Sequence, residues 1–509
     1  MRKKTNIVVH SAHIEDYAAE GKSITRQEGK VIFVEGAVPG DVVDVRLTKN
    51  KKDWAEGYAI KFHTYSEDRV VPFCQHFGVC GGCQWQMLPY EKQLHYKQKQ
   101  VWDNLSRIGK IELPTMQPIL GAVHTTFYRN KLEYTFSTKE FTPTPPPKIR
   151  RDRPELDDEI GTIALPLPAD EKGGEVGYAD NGFVSTEVLS QNEELVTPGV
   201  FGFHAKGFFD KVVAIKKCWL QPEPTNELRN SIRDFAFLNN LSFYDIRQHH
   251  GLLRTMQVRT CSTGEVMVNV VFGEDDKDKR ESLLDFILQR FPHITTLLYT
   301  INLKRNDSMH DLEPITYHGA GYVVEKLEHF RFKIGPKSFF QTNTEQAERL
   351  YQITRDFAEL NGDQVVYDLY CGTGSIGIFC SKEAKKVIGV ELVGAAINDA
   401  KENALLNDID HAHFFTGDVV SVCNDEFFET HGRPDVLITD PPRAGMHEKL
   451  VVKILEMEAP IVVYVSCNPA TQARDLALLD EKYKVTRVQP VDMFPHTLHI
   501  ENIVQLKLK

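Results

Sequence analysis

The residues whose types suit chemistry gather in the last third of the chain. "VVYVSCNPAT" (462–471) ends an apolar run on Cys467, followed by Asn468 and Pro469, and so presents a thiol on a turn. A lone Cys is most often core filling, so its neighbours must decide. Upstream, short apolar runs close on acids: Asp368 in "VVYDLYCGTG", Glu391 in "VIGVEL", Asp418 after "HFFTG" and Asp440 opening "DPPRAG". Gly372 and Gly374 let backbone approach a ligand, and a following helix N-terminus would offer free amide hydrogens. The loop lacks the third glycine of the dinucleotide pattern. Glu391 is placed to accept from both ribose hydroxyls of an adenosine, with Asp418 at the adenine edge. Each acid singly is also explained as a helix cap.

This arrangement resembles the S-adenosylmethionine-dependent methyltransferases. Methyl donation from a sulfonium needs alignment with a nucleophilic atom, which leaves two kinds of acceptor. Enzymes acting on exocyclic amines carry Asp or Asn, Pro-Pro and an aromatic residue, whereas here Arg443 takes the aromatic position. C5 of uracil is a poor nucleophile until a thiolate adds to C6, which Cys467 would do. With an ordinary pKa near 8.5 only a few per cent is thiolate at neutral pH, so a cation is expected to help, with Arg443 the candidate. The C5 proton must then leave to a base. Glu501 in "MFPHTLHIE", after His496 and His499, would be ionised at neutral pH with an ordinary pKa of about 4.3.

These residues need a scaffold. From about Gly335 short apolar strands alternate with amphipathic helices, which predicts a parallel sheet covered on both faces with ligands at the strands' carboxyl ends. Cys467 lies at one such end. Residues 5–62 read as an all-β unit with turn punctuation at "AVPG" and "TKNKKD". It resembles a TRAM domain, an OB-like barrel that binds RNA, mainly through "VEGAVPGDVVDVRL". Tyr90 to Ile108 has helical periodicity, and about Ile119 to Phe332 mixes strands with a helix over Asn226–Asn239. From about Phe141 to Val200 a Pro-rich, charged, then polar stretch reads as an exposed insertion.

Nine cysteines in 509 residues, an odd number unevenly spread, do not make a secreted disulfide framework. Cys74, Cys80 and Cys83 follow C-x5-C-x2-C, with Cys218 in "KKCWLQP" the natural fourth ligand. Zinc would accept four thiolates, although structural zinc sites usually pair two short knuckles. All-thiolate ligation also suits iron and sulfur.

"FFQTN", "DLYCGTG", "DPPRAG", "VSCNPAT" and "MFPHTLHIE", in that order, resemble the RNA 5-methyluridine methyltransferase family, which modifies C5 of uridine in 23S ribosomal RNA or tRNA. The resemblance implies Cys467 as nucleophile and Glu501 as base, with Gln341, Tyr370, Ser375, Glu391, Asp418 and Asp440 holding S-adenosylmethionine. It also implies a 4Fe-4S cluster on Cys74, Cys80, Cys83 and Cys218. The expected architecture is multidomain: an OB-like TRAM β-barrel (1–64), a central α+β iron-sulfur domain (65–334, with the insertion at about 141–200 and a helix within 86–117 packing on the catalytic part), and an α/β Rossmann-like class I methyltransferase domain (335–509). Because a TRAM-like barrel and such cysteines accompany the ribosomal branch of that family more than its bacterial tRNA branch, the resemblance implies 23S ribosomal RNA rather than tRNA as partner.

A net charge of −11 argues against nucleic-acid binding over the whole surface and confines it to local patches such as Lys49 to Lys52. The first residues carry no apolar core of signal-peptide length, and no run of about 18 apolar residues occurs. A cytoplasmic, membrane-free monomer is expected. A non-catalytic RNA-binding iron-sulfur protein is the reading from another class.

Overall fold

The computed structural model describes residues 7–18, 21–142 and 199–509. The insertion expected at about 141–200 falls almost wholly outside the described residues.

Val8–His13 (β1), Asp16–Tyr17 (β2), Ser23–Gln27 (β3), Lys30–Glu35 (β4), Val42–Asn50 (β5) and Trp54–Thr64 (β6) form one sheet in the order β1-β5-β6-β4-β3-β2. Alternating burial puts Ile32, Val34, Val43, Val45, Ala55 and Ala59 inside. "TKNKKD" does connect a hairpin, β5–β6. "AVPG" does not: β4 runs parallel to β6, so the chain crosses over before β5 begins. Asp41, fully buried, fixes this crossing by accepting from Val38 N (2.7 Å) and the Arg69 guanidinium (2.7 Å).

Tyr90–Asn104 (α1) runs on through a π-helical turn at Leu105–Gly109. A second sheet holds Lys131–Ser137 (β7), Val200–His204 (β8), Val212–Ala214 (β9), Leu253–Thr260 (β10), Val266–Phe272 (β11), Thr296–Ile301 (β12) and Ile315–His318 (β13), in the order β13-β12-β11-β10-β7-β8-β9. Thr225–Leu238 (α2) and Lys277–Arg290 (α3) pack on it, and α3 joins the parallel pair β11–β12. The hairpin of Val323–Leu327 (β14) and Phe330–Ile334 (β15) buries Leu327, Phe330, Phe332 and Ile334 in the same core as the sheet that follows.

That third sheet comprises Val365–Leu369 (β16), Lys386–Glu391 (β17), Ala412–Thr416 (β18), Val436–Thr439 (β19), Ile461–Ser466 (β20), Tyr483–Val491 (β21) and Glu501–Leu508 (β22), in the order β18-β17-β16-β19-β20-β22-β21. β16 to β20 are parallel, and β22 is antiparallel to both neighbours. Thr344–Ala358 (α4), Ser375–Cys380 (α5) and Gly394–Leu406 (α6) cover one face; Val419–Val422 (α7), Asp425–His431 (α8), Glu448–Met457 (α9) and Pro469–Leu479 (α10) cover the other, joined there by Val101 and Leu105 from the α1 region. The strand order reverses between β16 and β19, the switch point at which open α/β sheets bind ligands. Among the described residues no helix is long and apolar enough to cross a membrane.

Candidate active site

The carboxyl ends of five parallel strands carry the acids and the thiol. Tyr370 follows β16, Glu391 ends β17, Asp418 lies two residues after β18, Asp440 follows β19 and Cys467 follows β20. Tyr370 has φ +62, a left-handed value that bulky residues avoid, and Gly372 (+52) and Gly374 (+76) continue the tight turn into α5. The Glu391 carboxylate holds that loop, accepting from Gly372 N (3.3 Å) and Val393 N (2.9 Å). Ser375 opens α5 with its hydroxyl 2.9 Å from Tyr351 Oη. Asp418 is exposed and caps α7 through Ser421 N (3.3 Å). Gln341 is buried just before α4, its carbonyl accepting from Asn130 Nδ2 (2.9 Å). Asp368, one residue before the end of β16, accepts from Gly377 N (2.8 Å) through Oδ2, while its buried Oδ1 has no protein partner.

The β20–β22 ladder ends with Ser466 opposite Asn502, so Cys467 and Glu501 occupy the next facing positions. Asn468 then caps α10, accepting from Ala470 N (3.1 Å), with Pro469 in the first helical turn. Strand end, thiol and helix cap thus leave Cys467 half-buried on a rigid corner. Asn468 Nδ2 (3.1 Å) and Thr471 Oγ1 (3.3 Å) donate to the Arg443 carbonyl, tying this corner to the "DPPR" loop. Beneath it, the buried Gln472 and Asn502 amides bond each other at 2.7 Å.

Electrostatics alter two expectations. Arg443 does draw the Cys467 thiol down, but burial, Glu501 and Asp440 outweigh it and push the thiol up to about 11. Glu501 is not an ordinary ionised carboxylate: burial and then Asp440 raise it well above its usual range. Burial also raises Asp440 to about 7 and Asp368 to about 7. The switch point therefore concentrates buried acids whose carboxyls are held above their usual range, which favours a positively charged ligand.

Residues with no obvious sequence signal hold the segment before Glu501. Lys97 and Asp492, both fully buried, pair at 2.7 Å, and Asp492 also accepts from Tyr90 Oη (2.8 Å). Asn343 Nδ2 donates to the Met493 carbonyl (2.8 Å) and Tyr128 Oη to that of Pro495 (2.9 Å). The His496 carbonyl accepts from Gln84 N (2.8 Å) and Trp85 N (3.1 Å), and Gln93 Oε1 accepts from His496 N (2.9 Å). Burial pushes His496 down to about 4, so it stays neutral. Asp475 of α10, buried, accepts from Met446 N (2.8 Å) and Tyr464 Oη (2.7 Å), fixing the loop after Asp440.

Cys74, Cys80, Cys83 and Cys218 line one cavity of about 430 Å³ between the loop that precedes α1 and the β8–β9 edge. Among the described residues no three Cys, His, Asp or Glu side chains converge closely enough to hold a single metal ion. Burial raises all four thiols, Cys80 to about 11 and Cys83 to about 12, with neighbouring cysteines adding to the rise for Cys80, Cys83 and Cys218. Cys371, Cys380 and Cys423 are buried core residues, and Cys261 is half-buried.

The sheet order and the loops at its switch point define a class I methyltransferase fold, preceded by a TRAM domain whose family model matches residues 9–60. The family model described as tRNA (Uracil-5-)-methyltransferase matches residues 320–509. An uncharacterized RNA methyltransferase of Bacteroides thetaiotaomicron is 51% identical over 97% of this chain and 100% of its own length. One from Chlorobaculum tepidum is 36% identical over 96% of this chain and 94% of its own. The crystal structure of Pyrococcus abyssi tRNA (uracil-54, C5)-methyltransferase in complex with S-adenosyl-L-homocysteine superposes with a TM-score of 0.69 at 25% identity, covering 97% of this chain and all of that one. The chain belongs to the uracil-5 RNA methyltransferase family.

Proposed function

We propose that this protein methylates C5 of a uridine in 23S ribosomal RNA through a covalent adduct between Cys467 and C6 of the base. The observation that carries the reading is the facing of Cys467 and Glu501 at the ends of β20 and β22, beside Asp440. Addition of the Cys467 thiolate forms the Sγ–C6 bond and moves the ring electrons toward C5 and O4. S-adenosylmethionine, when bound, supplies the methyl group that C5 takes up. Glu501 then removes the C5 proton, and re-formation of the C5–C6 double bond expels the thiolate. A carboxylate whose proton affinity is raised by burial is the stronger base for that step.

The chain's own groups suit the cofactor. The strained Tyr370 turn and the glycines bring backbone close, and Asp368 offers an unpaired buried oxygen. Gln341, Tyr370, Ser375, Glu391, Asp418 and Asp440 would hold it, with the acids facing its positive sulfonium and its ribose and adenine donors. The target uridine would be turned out of its stack to reach Cys467.

Four thiols spread around a 430 Å³ cavity rather than converging on a point suit a 4Fe-4S cluster better than one zinc ion. Cys74, Cys80, Cys83 and Cys218 would be its ligands and its role structural, because the methylation needs no electron transfer. Iron and sulfide in equal amounts in anaerobically purified protein support this assignment, and zinc alone overturns it.

A second reading, the same chemistry on tRNA, is favoured by the Pyrococcus abyssi tRNA enzyme and the family description. The deciding experiment is transfer of labelled methyl from S-adenosylmethionine to undermodified total bacterial RNA, separated by size and digested to nucleosides. Labelled 5-methyluridine in the 23S band supports the first reading, and in the tRNA band the second. No label overturns both and leaves the non-catalytic RNA-binding alternative.

A further inference from the structure

Two residues that flank the cysteine cavity belong to an aromatic cluster whose outer rings face solvent. Phe73 precedes Cys74 and Trp219 follows Cys218, and their rings meet edge to face at 5.7 Å. Phe127 packs on Trp219 from another side at 5.6 Å. Phe73 is 40% and Phe127 37% exposed, far more than core aromatic residues tolerate. Phe127 has φ +55, a left-handed value that is an outlier for a bulky side chain. It is held there by its own N–H, which donates to the Trp219 carbonyl at 2.7 Å. The fold thus spends backbone strain to keep an aromatic ring at the surface, which marks functional positions more often than packing ones.

Charge narrows the partner. In a chain of net charge −11 this cluster carries cations: Lys217 Nζ sits 3.8 Å over the Trp219 ring, and Lys216 beside it is exposed. The cluster is also continuous with the catalytic segment. Phe73 packs on His496 at 5.0 Å, and the Arg129 guanidinium lies 4.8 Å over Phe494, whose ring is 6.0 Å from His499, two residues before Glu501. Exposed π-faces interleaved with cations are what unpaired nucleotides require, bases stacking on rings while phosphates meet lysines.

We infer that Phe127, Trp219 and Phe73, with Lys216 and Lys217, form a stacking platform for unpaired nucleotides of the RNA substrate, flanking the uridine delivered to Cys467. The inference rests on the RNA-methyltransferase reading and deepens it. The competing account, that the rings only cover the cysteine cavity, fits Trp219, which lines that cavity, but not Phe127, which does not.

The test uses the full-length holoprotein with unmodified 23S ribosomal RNA and tRNA transcripts, comparing wild type with Phe127→Ala, Phe127→Leu, Phe127→Tyr and Lys217→Ala. Phe127→Leu keeps apolar bulk without a π-face, and Phe127→Tyr keeps the face. On the transcript that wild type methylates, the platform predicts that Phe127→Ala and Phe127→Leu raise KM for RNA roughly 5- to 100-fold, the range for losing one stacked base, with the loss in KM rather than kcat. Phe127→Tyr should behave as wild type, and Lys217→Ala should reduce the salt slope of binding by about one. Metal content should be unchanged in every variant. Wild-type KM and salt slope in both Phe127→Leu and Lys217→Ala would overturn the platform and leave the rings as a cover. A wild type that methylates neither transcript would instead overturn the underlying reading of function.

Discussion

Cys467 and Glu501 face each other one step beyond the last ladder pair of two antiparallel strands, Ser466 with Asn502. Their backbones are thereby held by the sheet, and the Glu501 and Asp440 carboxyls both act on the Cys467 thiol. Burial, Glu501 and Asp440 together raise the thiol, so at neutral pH the free protein holds Cys467 as a thiol.

That state is measurable. With Cys467 pushed up to about 11, its alkylation rate in the free protein should rise about tenfold per pH unit from neutrality and level off only near pH 11. Arg443→Ala removes the opposing cation and should slow alkylation; Asp440→Asn removes a negative neighbour and should speed it. Mass spectrometry of the peptide containing Cys467 follows each rate, and a plateau near pH 7 would contradict the account.

The Lys97–Asp492 pair anchors α1 to the segment leading to Glu501. Lys97→Met leaves Asp492 charged and buried without its cation, at a cost of about 3–5 kcal/mol. Adding Asp492→Leu should recover part of that loss, since no isolated charge remains. Denaturant unfolding of the two variants gives both numbers, and a loss under about 1 kcal/mol for Lys97→Met would mean that the pair does not anchor the segment.

Asp475 satisfies Met446 N and the Tyr464 hydroxyl together. Asp475→Ala orphans two buried donors, at about 1–3 kcal/mol each, and frees the loop after Asp440. Thermal unfolding should show the loss, and Tyr464→Phe in the Asp475→Ala background should restore about one donor's share.

The cysteine loop also reaches the catalytic segment, because Gln84 and Trp85 donate to the His496 carbonyl. Cys83→Ser should lower metal content and raise hydrogen exchange at 84–85 and across 494–501, with β10 and β11 unchanged. Exchange confined to the cysteine loop would separate the two regions.

Much of this was legible in the chain. Apolar runs ending on acids foretold a parallel sheet with its ligands at the strand ends, because buried parallel strands tolerate polar residues only where they emerge. Cys467 could be placed at such an end for the same reason. The crossover hidden in "AVPG" could not be read, since a turn signal fixes a reversal but not which strand pairs next. Nor could the ionisation of Glu501, which depends on burial and on Asp440, 61 positions away. Lys97 and Asp475 left a faint trace as polar residues on buried faces of α1 and α10. The partners that satisfy them are set by tertiary packing. The platform at Phe127 left none, because neither strained backbone nor ring exposure has a sequence period.

In the proposed mechanism Cys467 bonds to the base and Glu501 releases it. The direct measurement is denaturing electrophoresis of labelled substrate RNA mixed with S-adenosylmethionine and either Glu501→Gln or the Cys467→Ala/Glu501→Gln double variant. The account predicts a protein–RNA band with Glu501→Gln, whose adduct cannot shed its proton, and none with the double variant. Methylation of uridine that survives in Cys467→Ala would contradict it.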